Sequence, residues 1–114
     1  MSGYDDRASL EDMRNHAREA VLLLGNTSLK ELSNNRVLEL ALRKLVEIVG
    51  EAAYRVSVPT RRQHTEFPWR KVIGMRNRID QGYFDVSIAE LWETINNDLL
   101  ALIEQSETLV KEGE

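Results

Sequence analysis

The sequence predicts an all-α fold, a small up-and-down bundle of four main helices with room for one short extra helix. Three observations predict it. Apolar residues recur at spacings of three and four, and no run of alternating β-branched residues competes with that period. Helix-opening and helix-closing residues punctuate the periodic runs. The connections between runs are short, which favours antiparallel neighbours.

Leu10, Met13, Ala17, Ala20 or Val21, and Leu24 mark the first amphipathic helix, which Gly25-Asn26 ends. Ser28 to Glu31 has the form of a capping box and opens a short helical turn. Ser33, Asn34 or Asn35 then caps a long second helix. Its apolar positions are Val37, Leu38, Ala41, Leu42, Leu45, Ile48, Val49, Ala52, Ala53 and Val56, a stripe wide enough for the centre of a bundle. Gly50 in its middle costs about 1 kcal/mol relative to alanine, so another helix is expected to approach closely there. Pro59 is expected to stop this helix and leave Ser57 to Glu66 as a polar, basic loop. Pro68 fits the first turn of a third helix. That helix is expected to run to Gln81 and to end at Gly82 in a left-handed cap. Asp85 or Ser87 caps the last helix, with Ser87 to Glu90 as a second capping box. Ile88, Leu91, Trp92, Ile95, Leu99, Leu102 and Ile103 form its buried stripe.

A chain of 114 residues fits one domain, 1–114. Apolar residues make up 42% and charged residues 30%, the balance of a folded protein rather than a disordered one. With no cysteine, a disulfide framework, a thiolate nucleophile and a cysteine-based zinc site are excluded. No histidine or carboxylate pair has ligand spacing either, so no metal and no cofactor is expected. The longest apolar runs are too short to span a membrane. Residues 1–16 lack the apolar core of a signal peptide, and a cytoplasmic protein is expected. The net charge of −4 argues against sequence-blind nucleic-acid binding, yet the charge is uneven. Between Arg55 and Ile79 stand seven basic residues (Arg55, Arg61, Arg62, Arg70, Lys71, Arg76 and Arg78) against one acid, Glu66. This is either a solvated basic loop or a local phosphate-binding face.

Arg76, Asn77, Gln81 and Tyr83 gather around the end of the third helix. Residues five apart on a helix are separated by about 140° in projection, so a loosened end at Gly82 is needed to turn Arg76 and Gln81 towards one cleft. Taken alone, Arg76 also fits a surface or capping arginine, and Tyr83 a half-buried packing residue with a wet hydroxyl. Glu51, beside Gly50, either pairs with Arg76 or Asn77 or stands as a surface glutamate. His16 fits a surface or inter-helix position, and His64 a solvated loop. Trp69 and Trp92 suit either a core or an interface.

The order and spacing of several motifs carry a resemblance. They are GEAA at Gly50–Ala53, PW at Pro68-Trp69, GMRNR at Gly74–Arg78, GYFDV at Gly82–Val86 and LWETINNDL at Leu91–Leu99. Together they resemble the HepT toxins of the HEPN superfamily. The resemblance implies a HEPN-like bundle and a small homodimeric ribonuclease that cuts RNA, either tRNA or mRNA. In that family the third helix ends in an arginine, four intervening residues, a histidine, one more residue and a tyrosine, and two copies of this motif meet in the dimer cleft. Arg76, Asn77 and Tyr83 match the pattern. Gln81 stands where the histidine belongs, and Asp80 replaces a residue that is usually apolar. The implied partner is MntA, a minimal nucleotidyltransferase antitoxin that transfers AMP from ATP onto the motif tyrosine, here Tyr83.

The chemistry fits those residue types. Metal-independent RNA cleavage needs a proton-transfer group at the 2′-hydroxyl or the leaving oxygen, and a cation where charge develops on phosphate. Arginine suits the second role through bidentate contacts. Histidine suits the first because it titrates near neutral pH, whereas glutamine does not titrate. Losing such a group costs ~10²–10⁴-fold in rate, so this chain is expected to cut RNA weakly or not at all. Arg61, Arg62, Arg70, Lys71 and Arg78 are candidate RNA contacts. Two alternatives compete: a non-catalytic RNA- or nucleotide-binding dimer that partners a nucleotidyltransferase, and a helical scaffold.

Overall fold

Gly25 has a φ of 53°, a left-handed conformation that glycine adopts without side-chain strain, and helix α1 (Gly3–Leu24) stops just before it. The computed structural model describes residues 3–82 and 85–105. Among these, every regular element is a helix. Helix α2 (Leu29–Ser33) opens on the expected capping box between Ser28 and Glu31. The Asn35 side chain accepts from the Leu38 N–H and starts α3 (Arg36–Arg55). Two further helices follow, α4 (Val58–Gln63) and α5 (Trp69–Gln81). Ser87 and Glu90 form the second capping box and start α6 (Ile88–Glu93). This helix continues through a π-helical stretch, Thr94–Leu99, into an α-helical segment over 100–105.

Contacts between the long helices fix their directions. Arg55 at the end of α3 pairs with Asp12 of α1 at 2.8 Å, and the Ser57 N–H donates to Asp6 at 2.8 Å. Gly50 of α3 lies against Val72 and Arg76 of α5. Lys71 of α5 pairs with Asp98, and Arg78 with Glu90, in the last helix. Each long helix therefore runs antiparallel to the one before it, as the short connections predict. The stripes read from the sequence meet in one core: Met13, Ala17 and Ala20 face Leu42, Val49 and Ala53, with Val72 and Ile79 of α5 and Leu91, Ile95 and Leu99 of the last helix.

Gly50 meets its expectation. A Cβ built there would collide with the Arg76 Cβ and stand 2.9 Å from the Val72 carbonyl oxygen. The missing side chain seats the α5 backbone directly on α3 and so sets the position of Arg76.

Five local expectations need correction. The segment Ser57 to Glu66 is not a plain loop, because it contains α4. Pro59 sits in the first turn of that helix, where its missing N–H leaves no bond unmade, so α3 ends ahead of it for other reasons. Chief among these is Asp6, whose carboxylate accepts from the Ser57 N–H, the Ser57 hydroxyl at 2.7 Å and the Thr60 hydroxyl, and so fixes the turn. Pro68 precedes α5 as its cap residue rather than lying inside it. Gly82 is extended (φ −171°), not left-handed, with its N–H bonded to the Arg78 carbonyl. Val37 is 79% exposed, while Val46 is fully buried in its stead. The rest of the stripe read in the sequence, from Leu42 and Leu45 to Val49, Ala52, Ala53 and Val56, is buried as expected.

Arg43 is the unforeseen core residue, at 2% exposure. Its guanidinium donates to Glu39 at 2.9 Å and to the Val86 carbonyl. A buried charge is stable only when so paired. This pair ties the segment leading into α6 to the centre of α3.

Candidate active site

Helix α5 brings Arg76 onto α3 at Gly50, and the neighbouring turn of α3 supplies its main partner. Arg76 Nε donates to Glu51 Oε2 at 2.8 Å and Nη2 donates to Glu51 Oε1 at 2.9 Å. This is a bidentate, charge-assisted pair with well-defined geometry. Nη1 donates to the Asn77 side-chain oxygen at 2.8 Å. Asp80, one turn on, lies 3.2 Å from Nε, and the guanidinium carbon is 5.3 Å from the centre of the Tyr54 ring. A guanidinium carries five N–H donors. These hydrogen bonds leave one donor each on Nη1 and Nη2, and the side chain keeps 20% of its surface exposed. Two donors on an oriented cation are what a phosphate oxygen pair needs.

The charges around it are unequal. The hydrogen bonds that Arg76 donates to Glu51 lift it above its ordinary pKa against the opposing effect of burial, so the cation is permanent. Glu47, one turn before Glu51, shares a hydrogen bond with Asp80. That bond, with burial, raises the Glu47 carboxyl above its usual range, against the pull of Lys44 at 3.2 Å. Glu47 and Tyr54 were not singled out in the sequence. Their spacing of four and three from Glu51 puts all three on one face of α3 and was the available signal.

Of the remaining candidates, Gln81 ends α5, exposed, with no side-chain hydrogen bond among the described residues. Tyr83, the expected AMP acceptor, lies outside the described residues. Arg78 donates to Glu90 at 2.6 Å and to the Asp85 carbonyl at 2.8 Å. Arg78, then the Ser87 N–H, lower the Glu90 carboxyl to a pKa of about 2. The candidate RNA contacts separate into two groups. Arg61, Arg62 and Arg70 line one groove between α4 and α5, whereas Lys71 and Arg78 are engaged by Asp98 and Glu90 on another side of α5. His16 bonds the Asp12 carbonyl at 2.9 Å and His64 faces Glu66 at 3.6 Å; no described contact joins either to Arg76 or Gln81. Among the described residues no group of His, Asp and Glu is placed to hold a metal ion, and no helix is long and apolar enough to cross a membrane.

The sequence of this all-α bundle matches a known ribonuclease family. The family described as Ribonuclease HepT-like matches residues 12–109, and the chain belongs to it. It is similar to a protein of Methanocaldococcus jannaschii provisionally named an RNase, 25% identical over 114 residues, covering 100% of this chain and 94% of the relative. It is also similar to the probable ribonuclease HepT of Thermococcus cleftensis, 34% identical over 73 residues, 64% of this chain and 66% of the relative. A third relative, provisionally named an RNase in Caldanaerobacter subterraneus subsp. tengcongensis, is 34% identical over 86 residues, 75% of this chain and 77% of its own. No solved structure matches the chain.

Proposed function

We propose that this chain is the toxin subunit of a HEPN-type toxin–antitoxin pair, a cytoplasmic homodimer whose RNA-cleaving site is weakened by Gln81. Arg76 binds the phosphate under attack, and Glu51 and Asn77 hold its guanidinium in place. Gln81 occupies the position of the proton-transfer group and cannot titrate, so the step at the 2′-hydroxyl or leaving oxygen goes without help. Tyr83 is the AMP acceptor for a nucleotidyltransferase antitoxin of the MntA type. The observation that carries the reading is the bidentate Glu51 clamp on Arg76, in a chain of the HepT-like family. Together with the Asn77 bond, the clamp leaves two guanidinium donors unengaged among the described residues and aims a permanent cation.

Two measurements test the assembly half of this reading. Light scattering at micromolar concentration should give the mass of a dimer, and a monomer would contradict a shared cleft. Incubation with a cognate nucleotidyltransferase and ATP should add one or more AMP units. A Tyr83→Phe variant that is still modified would remove the tyrosine assignment.

A further inference from the structure

Gly74 lies in the middle of α5, where a glycine costs about 1 kcal/mol relative to alanine. Unlike Gly50 it has no packing reason, because a Cβ added there would meet nothing within 4 Å. Gly74 lines a groove of about 500 Å³ between α4 and α5, and also borders the neighbouring groove between α5 and the last helix. Arg61, Arg62 and Arg70 line that groove, and among the described residues no carboxylate pairs with any of them. Trp69 forms part of its wall. The indole N–H donates to the His64 carbonyl at 2.8 Å, and the ring stacks on Phe67 with centroids 5.0 Å apart. The ring is therefore fixed, one face covered and the side chain only half-buried. The far end of the groove is Asn77, whose side chain is bonded to Arg76.

We infer that this groove is a subsite for single-stranded RNA, in which an unpaired nucleobase stacks on Trp69 while Arg61, Arg62 and Arg70 contact the flanking phosphates. A rigid aromatic face among uncompensated cations binds bases without needing sequence, and only an unpaired base can reach it. Trp69 and Arg76 are separated by roughly 10 Å along α5. A strand held here is thus led along the helix to Arg76. The inference rests on the RNA-directed reading above and adds where the strand lies.

The test is a fluorescence titration with a short single-stranded adenylate RNA. In a Trp92→Phe background, Trp69 is the sole indole, since the chain has two tryptophans. Stacking should quench its emission to saturation, and a duplex of the same length should not. Gly74→Gln fills the groove without touching its charge. It should weaken binding at least about tenfold, as should Arg62→Gln with Arg70→Gln, while Trp69→Phe retains affinity. Binding by Gly74→Gln equal to the parent's would overturn the inference, as would RNA binding without quenching. An acidic peptide that quenches with the same affinity would also overturn it. The two readings fail separately. If Gln81→His does not cut RNA but quenching persists, the groove stands and the nuclease reading falls. If Gln81→His cuts RNA and is indifferent to Gly74→Gln, the reverse holds.

Discussion

Two glycines in neighbouring helices give opposite predictions for the same substitution. Intrinsic helix propensity alone says that Gly→Ala in a helix interior stabilises by about 1 kcal/mol. At Gly50 the new methyl would strike the Arg76 Cβ and the Val72 carbonyl oxygen, which are main chain and the root of a side chain rather than a flexible tip. Relief requires α5 to move off α3. Overpacking of this kind costs about 1–3 kcal/mol, and here the upper part of that range applies. The net effect of Gly50→Ala is a loss of about 1–2 kcal/mol. Unfolding entropy near 2.1 cal/mol/K per residue gives roughly 240 cal/mol/K for 114 residues, or about 4 °C per kcal/mol. Melting followed by circular dichroism should therefore fall by about 4–8 °C for Gly50→Ala. It should rise by about 4 °C for Gly74→Ala, where the methyl meets nothing. If Gly50→Ala melts at or above the parent, α3 and α5 are not in the contact that seats Arg76.

Other perturbations have equally definite outcomes. Glu39→Ala leaves Arg43 without its 2.9 Å carboxylate inside the core and should cost about 3 kcal/mol, read as a lower denaturant midpoint at unchanged slope. Glu47 has a raised pKa in the folded state, so its contribution is fully present below the ordinary value of 4.5 and is lost as pH rises through the folded value. Glu47→Gln carries a permanent donor to Asp80; it should melt higher than the parent at pH 7, with the gap closing as pH falls towards 4. A gap that widens in acid would refute the shared proton.

Much of this arrangement was legible because it is local. The capping boxes at Ser28 and Ser87 and the stop at Gly25 depend on residues within one turn of each other, and all three form as read. Gly50 could be read as a close-approach site because a mid-helix glycine demands a reason, although the identity of the neighbour could not. What escaped depends on distant partners. Asp6 reaches across 51 residues to fix the turn at Ser57 and lets α4 form where a loop was expected. Arg43 is held in the core by Glu39 and by the Val86 carbonyl from 43 residues away, a partner that no local pattern announces. At the site, Arg76 and Glu51 were legible through spacing and family pattern. The carboxyl pair of Glu47 and Asp80 joins two helices and was not.

The most direct test of the account is the rate of RNA cleavage, with tRNA as substrate, by the chain and by its Gln81→His variant under single-turnover conditions. The histidine should restore ~10²–10⁴-fold in rate, and Arg76→Ala in the same background should remove it. Equal rates for the glutamine and histidine forms would contradict it, because the proton-transfer group would then lie elsewhere.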